Sequence, residues 1–411
     1  MIKIKYLRLA LIFLLPLAFI FSQCIKATKK PANARGAAYA GSTTCLKCHK
    51  DVAQNYFHSA HYLTSRLAAQ ATIHGSFKPD SNTVVFNDSI KVVMEKHADG
   101  LYQAEYIHGK LTRQHRFDIT FGSNRGETYF YRQGNKIYQL PISYYLSLHQ
   151  WANSPAYSAD SAEFGRVIGR RCFECHSSYI KNLPADAGTI DTANQFDGKS
   201  MILGIDCERC HGPGADHVDF QTENPAEKKP MYITRISALS RQQRIDFCSQ
   251  CHGGNTKIMT RSIFDFKPGD TLANFNSGEP FHAYRDASRI DVHGNQVKLL
   301  SSSKCFFSSK IECATCHSMH DNAVKTVQTY SQHCTGCHSE ANHNFCKMAA
   351  KIGPAIKNNC IDCHMPVQTS HAIIINSGST KVNPPFLART HLIAIYPEES
   401  KKILTWMRRK S

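Results

Sequence analysis

The stretch Cys313-Ala-Thr-Cys-His-Ser-Met-His320 decides how this chain folds, because its first five residues repeat a pattern that occurs seven times. The pattern is Cys-x-x-Cys-His, the signature of covalent c-type haem attachment. Its two thiols form thioether bonds to the haem vinyl groups, and the histidine that follows becomes the proximal ligand of the iron. We number the seven motifs in chain order: Cys45/Cys48/His49, Cys172/Cys175/His176, Cys207/Cys210/His211, Cys248/Cys251/His252, Cys313/Cys316/His317, Cys334/Cys337/His338 and Cys360/Cys363/His364.

A Cys-x-x-Cys pair by itself also occurs in zinc sites and in redox dithiols. Neither class requires a histidine directly after the second cysteine, whereas all seven copies here have one. We therefore expect seven covalently bound haem c groups.

The fold class follows from the spacing of the motifs and from a modest share of hydrophobic residues, 42% of 411. Motifs 2 to 7 follow one another about every 30 residues, which is too short for an independent apolar core around each. We predict a mainly α fold with extensive loops, wrapped around a stack of covalently bound c-type haems and interrupted by a small antiparallel β insert.

The N-terminus has the features of an export signal, with Lys3, Lys5 and Arg8 before a short apolar run. We predict a signal peptide at 1–23, of the lipoprotein type, with Cys24 as the lipidated residue. Ordinary cleavage nearby and an uncleaved anchor are the alternatives. The predicted location is the periplasmic side of a Gram-negative bacterium, with the protein anchored in the membrane as a lipoprotein.

The rest of the chain divides by composition. Residues 73–157 contain no motif and consist of strand-like runs separated by turn pairs such as Asp99-Gly100, which predicts a meander of five or six strands. We predict these segments in order: a flexible tether at 24–38, a first haem segment at 39–72, a β-rich insert at 73–157, a six-haem cytochrome domain at 158–395 and a C-terminal helix at 396–411.

Charge and cysteine content restrict the partners. The 17 cysteines favour a compartment outside the cytosol. The formal net charge of +17 is reduced by loss of the leader and by about two propionates per haem. Nucleic acid is therefore not expected as a partner. Arginines beside the motifs, namely Arg170, Arg171 and Arg209, suit haem propionates better than a substrate anion.

The second axial ligand decides what each iron can do, since two histidines make an electron carrier and an empty position makes a substrate site. The chain has 22 histidines, so full bis-histidine ligation is possible. His320 cannot reach the iron of its own motif from the opposite face, and we expect it to bind a neighbouring haem. The predicted second ligands are His61, His217, His282, His293, His320, His371 and His391. Cys305 and Cys346 lie outside the motifs and form either a disulfide or two free thiols.

Four motif-containing stretches carry a family resemblance. They are Tyr39–His49, Gly204–Gly214, Glu312–His320 and Cys360–Pro366, and the β-like section adds Gln139–Tyr145 and Trp151–Tyr157. From about residue 39 to 395 the chain resembles bacterial multihaem cytochromes c of the cytochrome c-554-like superfamily. The resemblance implies covalent haem c, and it implies that the last histidine of Cys-His-x-x-His, His320 here, serves an adjacent haem.

The same resemblance leaves the function open between two classes. The superfamily includes electron carriers as well as nitrite reductases and hydroxylamine oxidoreductases, and the Cys-x-x-Cys-Lys motif of the nitrite reductases is absent from this sequence. We predict an electron carrier without catalytic residues. Its expected partners are other redox proteins: a membrane quinol oxidase or dehydrogenase, a terminal reductase and other cytochromes. The alternatives are an oxidoreductase for a small nitrogen or sulfur compound at one open haem, and a docking module.

Overall fold

A computed structural model describes residues 33–184, 194–254, 258–277, 287, 289–321, 326–376 and 383–410. The predicted signal peptide, Cys24, the first part of the predicted tether and His282 lie outside the described residues. Within the described ranges, no helix is both long and apolar enough to cross a membrane.

The prediction of a mainly α protein with a small β insert is wrong. Of the described residues, 31% are helical and 25% lie in strands, which form several antiparallel sheets. Two physical reasons explain the difference. The helices that carry the motifs are mostly only one or two turns long, and the chain between motifs often returns as a β-hairpin rather than as a helix.

The β-rich region precedes motif 2 and contains more strands than the five or six expected. Its bounds are β1 Ser65–Leu67, β2 Thr83–Val85, β3 Ile90–His97, β4 Gly100–Ile107, β5 Lys110–Arg116, β6 Ile119–Phe121, β7 Gly126–Gln133, β8 Lys136–Gln139, β9 Ile142–Tyr145 and β10 Gln150–Asn153. One sheet has the order β2-β3-β4-β5. The other has the order β1-β6-β7-β9-β10, with β8 paired to β7. Hairpins join most neighbouring strands. Their register is fixed because a slip of one residue would turn every inward side chain outward.

A buried aromatic cluster joins the two sheets. Phe117, Tyr129 and Trp151 belong to it together with buried aliphatic residues of β2 to β4. The Trp151 indole Nε1 donates to the Ser76 carbonyl (2.8 Å). Gly75 is required next to this ring, since a Cβ there would come within 2.0 Å of Trp151 Cζ2. The cluster gives the region a core that does not depend on haem.

The remaining elements surround the motifs. The helices are α1 Ser42–Cys45, α2 Lys50–Tyr56, α3 Arg170–His176, α4 Cys207–His211, α5 Ala215–Glu223, α6 Arg241–His252, α7 Gln296–Ser301, α8 Lys304–Ser308, α9 Cys313–Cys316, α10 Val327–Thr335, α11 Ala349–Ile352, α12 Ile361–His364 and α13 Pro397–Lys410. Within the described ranges, three two-stranded antiparallel sheets lie among them, formed by β11 Ser177–Asn182 with β12 Phe196–Leu203, β13 Ile258–Met259 with β14 Asn276–Ser277, and β15 Val367–Ile374 with β16 Pro385–Arg389.

Candidate haem-binding site

Every motif faces the same internal space. One continuous cavity of about 4550 Å³ is lined by all fourteen motif cysteines and all seven motif histidines. A site for one small ligand has a volume of about 300–1,000 Å³. The cavity therefore has room for several large cofactors in contact with one another.

Helical geometry places the three functional residues of each motif on one side of a turn. In motifs 1, 5, 6 and 7 the histidine amide donates to the carbonyl of the first cysteine, at 2.9–3.0 Å. Residues three and four apart share a helix face. Both thiols and the imidazole therefore point toward the cavity from a single turn, as attachment to one porphyrin requires.

Four motif histidines lie opposite a second histidine from a different part of the chain. The ring centres are 5.8–6.4 Å apart, which is too far for ring stacking. Two imidazoles on opposite sides of one metal, each with a metal–nitrogen bond of about 2 Å, have their centres about 6 Å apart. The pairs are His49 with His217 (6.4 Å), His252 with His61 (6.1 Å), His211 with His320 (5.8 Å) and His317 with His391 (6.2 Å).

The other predicted second ligands are placed differently. His293 lines the cavity without a ring partner at this spacing among the described histidines. His371 is exposed and is not among the cavity-lining residues; its backbone amide donates to Asp291. His282 lies outside the described residues.

Hydrogen bonds at Nδ1 leave Nε2 available in several of these imidazoles. His211 donates from Nδ1 to the Thr234 carbonyl (3.1 Å), His364 to the Ala394 carbonyl (2.9 Å) and His217 to the Met231 carbonyl (2.8 Å). A donated Nδ1–H fixes the tautomer whose Nε2 can bind a metal.

Burial keeps three of the cavity histidines neutral. It lowers the pKa of His61 and of His176 to about 4, and it is also the main cause that lowers the pKa of His391 to about 4. Neutral imidazole is the form that coordinates a metal.

The motif 2 histidine is held by the β-rich region. Thr64 Oγ1 lies 2.9 Å from His176 Nδ1, and the Ser65 hydroxyl donates to the His176 carbonyl. Phe121, which pairs with Ser65 between β6 and β1, packs on the imidazole with ring centres 4.9 Å apart. Sequence reasoning did not identify these three residues, since nothing in the local pattern connects a strand of the insert to a motif more than 50 residues away.

Contacts between cysteines of different motifs show which attachment sites are neighbours. Cysteines of motif 1 and 3, of motif 2 and 4, of motif 4 and 5 and of motif 6 and 7 lie beside one another, as the pairs Cys45–Cys207, Cys175–Cys251, Cys248–Cys313 and Cys334–Cys360. Cys210 of motif 3 and Cys251 of motif 4 are close enough to interact electrostatically, as are Cys316 of motif 5 and Cys334 of motif 6. The attachment sites thus follow the order 1-3-4-5-6-7, with motif 2 beside motif 4.

A buried ion cluster holds the start of the described chain against motif 3. Arg35 donates to both carboxylate oxygens of Asp206 (3.0 and 2.6 Å) and to Glu208 (3.0 Å). The Glu208 carboxylate also accepts from the amides of Ala40 and Gly41, both at 2.8 Å. This cluster ties the segment before motif 1 to the helix of motif 3. Sequence reasoning missed Arg35, which falls in the predicted tether.

Two further features bear on the cofactor. The Arg209 side chain is buried in the cavity wall, and its Nε has no hydrogen-bond partner among the described residues. A buried guanidinium with an unused donor suits a propionate.

Cys305 and Cys346 are free thiols, so the structure has no disulfide between them. The donor set fits covalently bound haem.

The cysteine motifs, the opposed histidines and the shared cavity together define a class of protein, the multihaem cytochromes with covalently bound haem c. Comparison with known proteins supports this class. The chain is 22% identical over 198 residues to the multiheme cytochrome MtrA of Shewanella baltica, covering 47% of this chain and 45% of that protein. It is 25% identical over 175 residues to the C-type polyheme cytochrome OmcB of Geobacter sulfurreducens, covering 38% and 20%.

Two similarities extend over more of the chain. The dissimilatory sulfite reductase MccA of Wolinella succinogenes is 20% identical over 397 residues, covering 81% of this chain and 51% of that protein. The crystal structure of the outer cell wall cytochrome OcwA matches the fold with a TM-score of 0.54 at 17% identity, covering 89% of this chain and 82% of that one.

The chain spans about half the length or less of these curated relatives. No family model matches it. The similarities support a multihaem c-type cytochrome, and membership in the cytochrome c-554-like superfamily stays a prediction.

Proposed function

We propose that this protein carries electrons through seven covalently bound haems. The observation that carries the proposal is that all seven motifs line one cavity, where four of their histidines face a second histidine at the spacing of axial ligands. Haem supplies a one-electron change between ferric and ferrous iron when bound. The residues that would hold it are the fourteen motif cysteines, the seven motif histidines and, as second ligands, His61, His217, His320 and His391.

Histidine on both sides of an iron leaves no position for a substrate and favours electron transfer over catalysis. His293 is the candidate second ligand for motif 2. It lines the cavity near His176 and His252, of which His252 already faces His61. The protein's role is to fix ligand geometry and to exclude water from the cofactors.

The neighbour order of the motifs supports a path that differs from the order in sequence. Electrons entering near motif 1 would pass motif 3 next, because Cys45 contacts Cys207. Motifs 4, 5, 6 and 7 follow, and motif 2 forms a side branch at motif 4 through Cys175 and Cys251. The branch lies against the β-rich region, and the end of the path lies beneath α13. Leu404 of α13 lines the cavity there, together with other residues of the same helix face.

The proposed setting is outside the cytosol, with redox proteins as donor and acceptor. Haem c attachment and the abundance of cysteine support export, and the N-terminal sequence supports a tether through Cys24. The Cys24→Ser variant should move the holoprotein from the membrane fraction to the soluble periplasmic fraction. Unchanged membrane association would contradict the tether but not electron transfer.

The test of the function is a count of haems and of iron spin states on the purified holoprotein. We expect seven haems by mass and by pyridine haemochrome assay, and seven electrons taken up reversibly per chain. Low-temperature EPR should show low-spin iron with histidine on both sides. A high-spin iron that binds sulfite, nitrite or hydroxylamine would instead support the alternative of an oxidoreductase.

A further inference from the structure

A fully buried carboxylate lies in the cavity wall, and its hydrogen bonds go to residues outside the motifs. Glu127, on β7, has no solvent-exposed side-chain surface and lines the cavity. Its Oε1 contacts both Arg66 Nη2 and His74 Nδ1, the latter at 2.7 Å, and its Oε2 accepts from the His74 amide (2.9 Å). Two basic side chains thus share one carboxylate. A structural ion pair needs only one of them.

The second of these basic groups is open to solvent. The His74 side chain is 52% exposed, whereas that of Arg66 is 14% exposed. Histidine is the side chain whose charge ordinarily changes between pH 5 and 8, and arginine remains charged. The cluster therefore has a fixed ion pair inside and a group at the surface that can exchange a proton with water.

The cluster is connected to motif 2 by a short series of hydrogen bonds. Arg66 Nη1 donates to the carbonyls of Leu63 (3.1 Å) and Gly122 (2.5 Å). The Gly122 amide donates to the Thr64 carbonyl (2.8 Å), and the Thr64 hydroxyl is the group next to His176 Nδ1. Arg66 thus links Glu127 to the residues that hold the motif 2 histidine.

We propose that the Glu127–His74 pair is a proton-binding site coupled to the redox state of the haem held by motif 2. This inference rests on the proposed function. His74 would take one proton from water at Nε2 for the electron that a haem at motif 2 would gain, while Nδ1–H keeps its hydrogen bond to Glu127. The positive charge of the proton compensates the negative charge of the electron, so the protein couples electron transfer to proton uptake at this branch.

The other groups that face Glu127 do not supply this proton. Tyr129, on the same strand, donates its hydroxyl to Glu127 Oε2 (2.7 Å), and burial and the carboxylate raise its pKa well above the usual value. Tyr144 on β9 also has a raised pKa, first through burial and then through Glu127. Both phenols stay protonated near neutral pH. Of these groups that face Glu127, His74 is the one whose side chain is open to solvent.

The experiment is a spectropotentiometric titration of the holoprotein with chemical reductants at several pH values between 5 and 8.5. His74→Gln is the decisive variant, because glutamine can still donate to Glu127 and binds no proton in this range. His97→Gln is the matched control. His97 contacts Glu95 at 2.9 Å on β3 and is also partly exposed, but neither residue lines the cavity. Glu127→Gln is a second variant with the same expected result.

In the native protein and in His97→Gln, we expect the potential of one component to fall as the pH rises, because protons stabilise the reduced form. His74→Gln should abolish this dependence for that component alone. Proton uptake on reduction in unbuffered solution should fall in His74→Gln. Equal pH dependence in His74→Gln and His97→Gln, or loss in both, would overturn the coupling. Failure of the native protein to accept electrons reversibly would instead contradict the proposed function.

Discussion

The imidazole of His320 lies opposite that of His211, with ring centres 5.8 Å apart and planes 6° from parallel. His320 follows motif 5 by three residues, whereas His211 belongs to motif 3, more than 100 residues earlier. One short Cys-His-x-x-His segment therefore provides an attachment histidine for one site and a facing histidine for another. Through such exchanges each site depends on a distant part of the chain.

Replacing His320 by alanine should convert one iron from low-spin to high-spin, because the iron at motif 3 loses its second imidazole. EPR and magnetic circular dichroism of the oxidised holoprotein measure the change as about one haem in seven. His58→Ala is the control, since His58 is exposed and is not among the cavity-lining residues. A His320→Ala spectrum identical to that of the native protein would remove His320 from the ligand set.

The sequence predicted the haem attachment residues because the chemistry is local. Two thiols and an imidazole on one helical turn need only five consecutive residues. It also suggested His61, His217, His320 and His391 as second ligands, but it did not say which motif each one faces. That pairing depends on contacts between segments far apart in the chain, such as His61 with His252, about which local spacing carries no information.

The fold was predicted less well for a related reason. Runs of β-branched and aromatic residues marked several strands of the insert, including those at 90–95 and 101–107. Short strands such as Ser65–Leu67 were missed because their pairing with Ile119–Phe121 is non-local. The strands between motifs were missed because cofactor packing can override local propensity there. Arg35 was assigned to a flexible tether since its partners, Asp206 and Glu208, lie more than 170 residues away.

Asp291 should act as a positioning residue for His293. Its carboxylate accepts hydrogen bonds from the amides of His293, His371 and Ala372 and from the Ser370 hydroxyl. Burial raises the pKa of Asp291, but these bonds lower it by more, so the net shift is downward and the group is ionised near neutral pH. Asp291→Ala removes an acceptor that joins the His293 loop to β15.

We therefore expect Asp291→Ala to make one iron high-spin or spin-mixed, and Asp291→Asn to retain part of the native EPR signal, because the amide oxygen still accepts. The signal that changes should be the one that His293→Ala changes. If Asp291→Ala lowers the thermal stability but leaves every EPR signal in place, the carboxylate has a structural role only.

Arg35→Ala should lower the free energy of unfolding of the holoprotein by about 3–5 kcal/mol, because it leaves two buried carboxylates without their cation. The side chains of Arg35 and Asp206 are each only 5% exposed. Chemical denaturation followed by tryptophan fluorescence and Soret absorbance measures the loss. Lys402→Ala is the control, since the Lys402–Glu399 pair is exposed and should contribute less than about 1 kcal/mol. Equal midpoints for the two variants would contradict the importance of the cluster.

Thr64→Val should raise the reduction potential of one component. The Thr64 oxygen accepts a hydrogen bond from His176 Nδ1–H. This bond makes the imidazole a stronger electron donor to the iron, which favours the ferric state. Valine has a similar shape but no acceptor, so the ferric state loses this stabilisation while packing is preserved. Potentiometry at constant pH measures the shift. Thr405→Val is the control, because the Thr405 hydroxyl bonds only to its own helix, at the Lys401 carbonyl. A potential that stays constant or falls in Thr64→Val would show that this hydrogen bond does not tune the motif 2 haem.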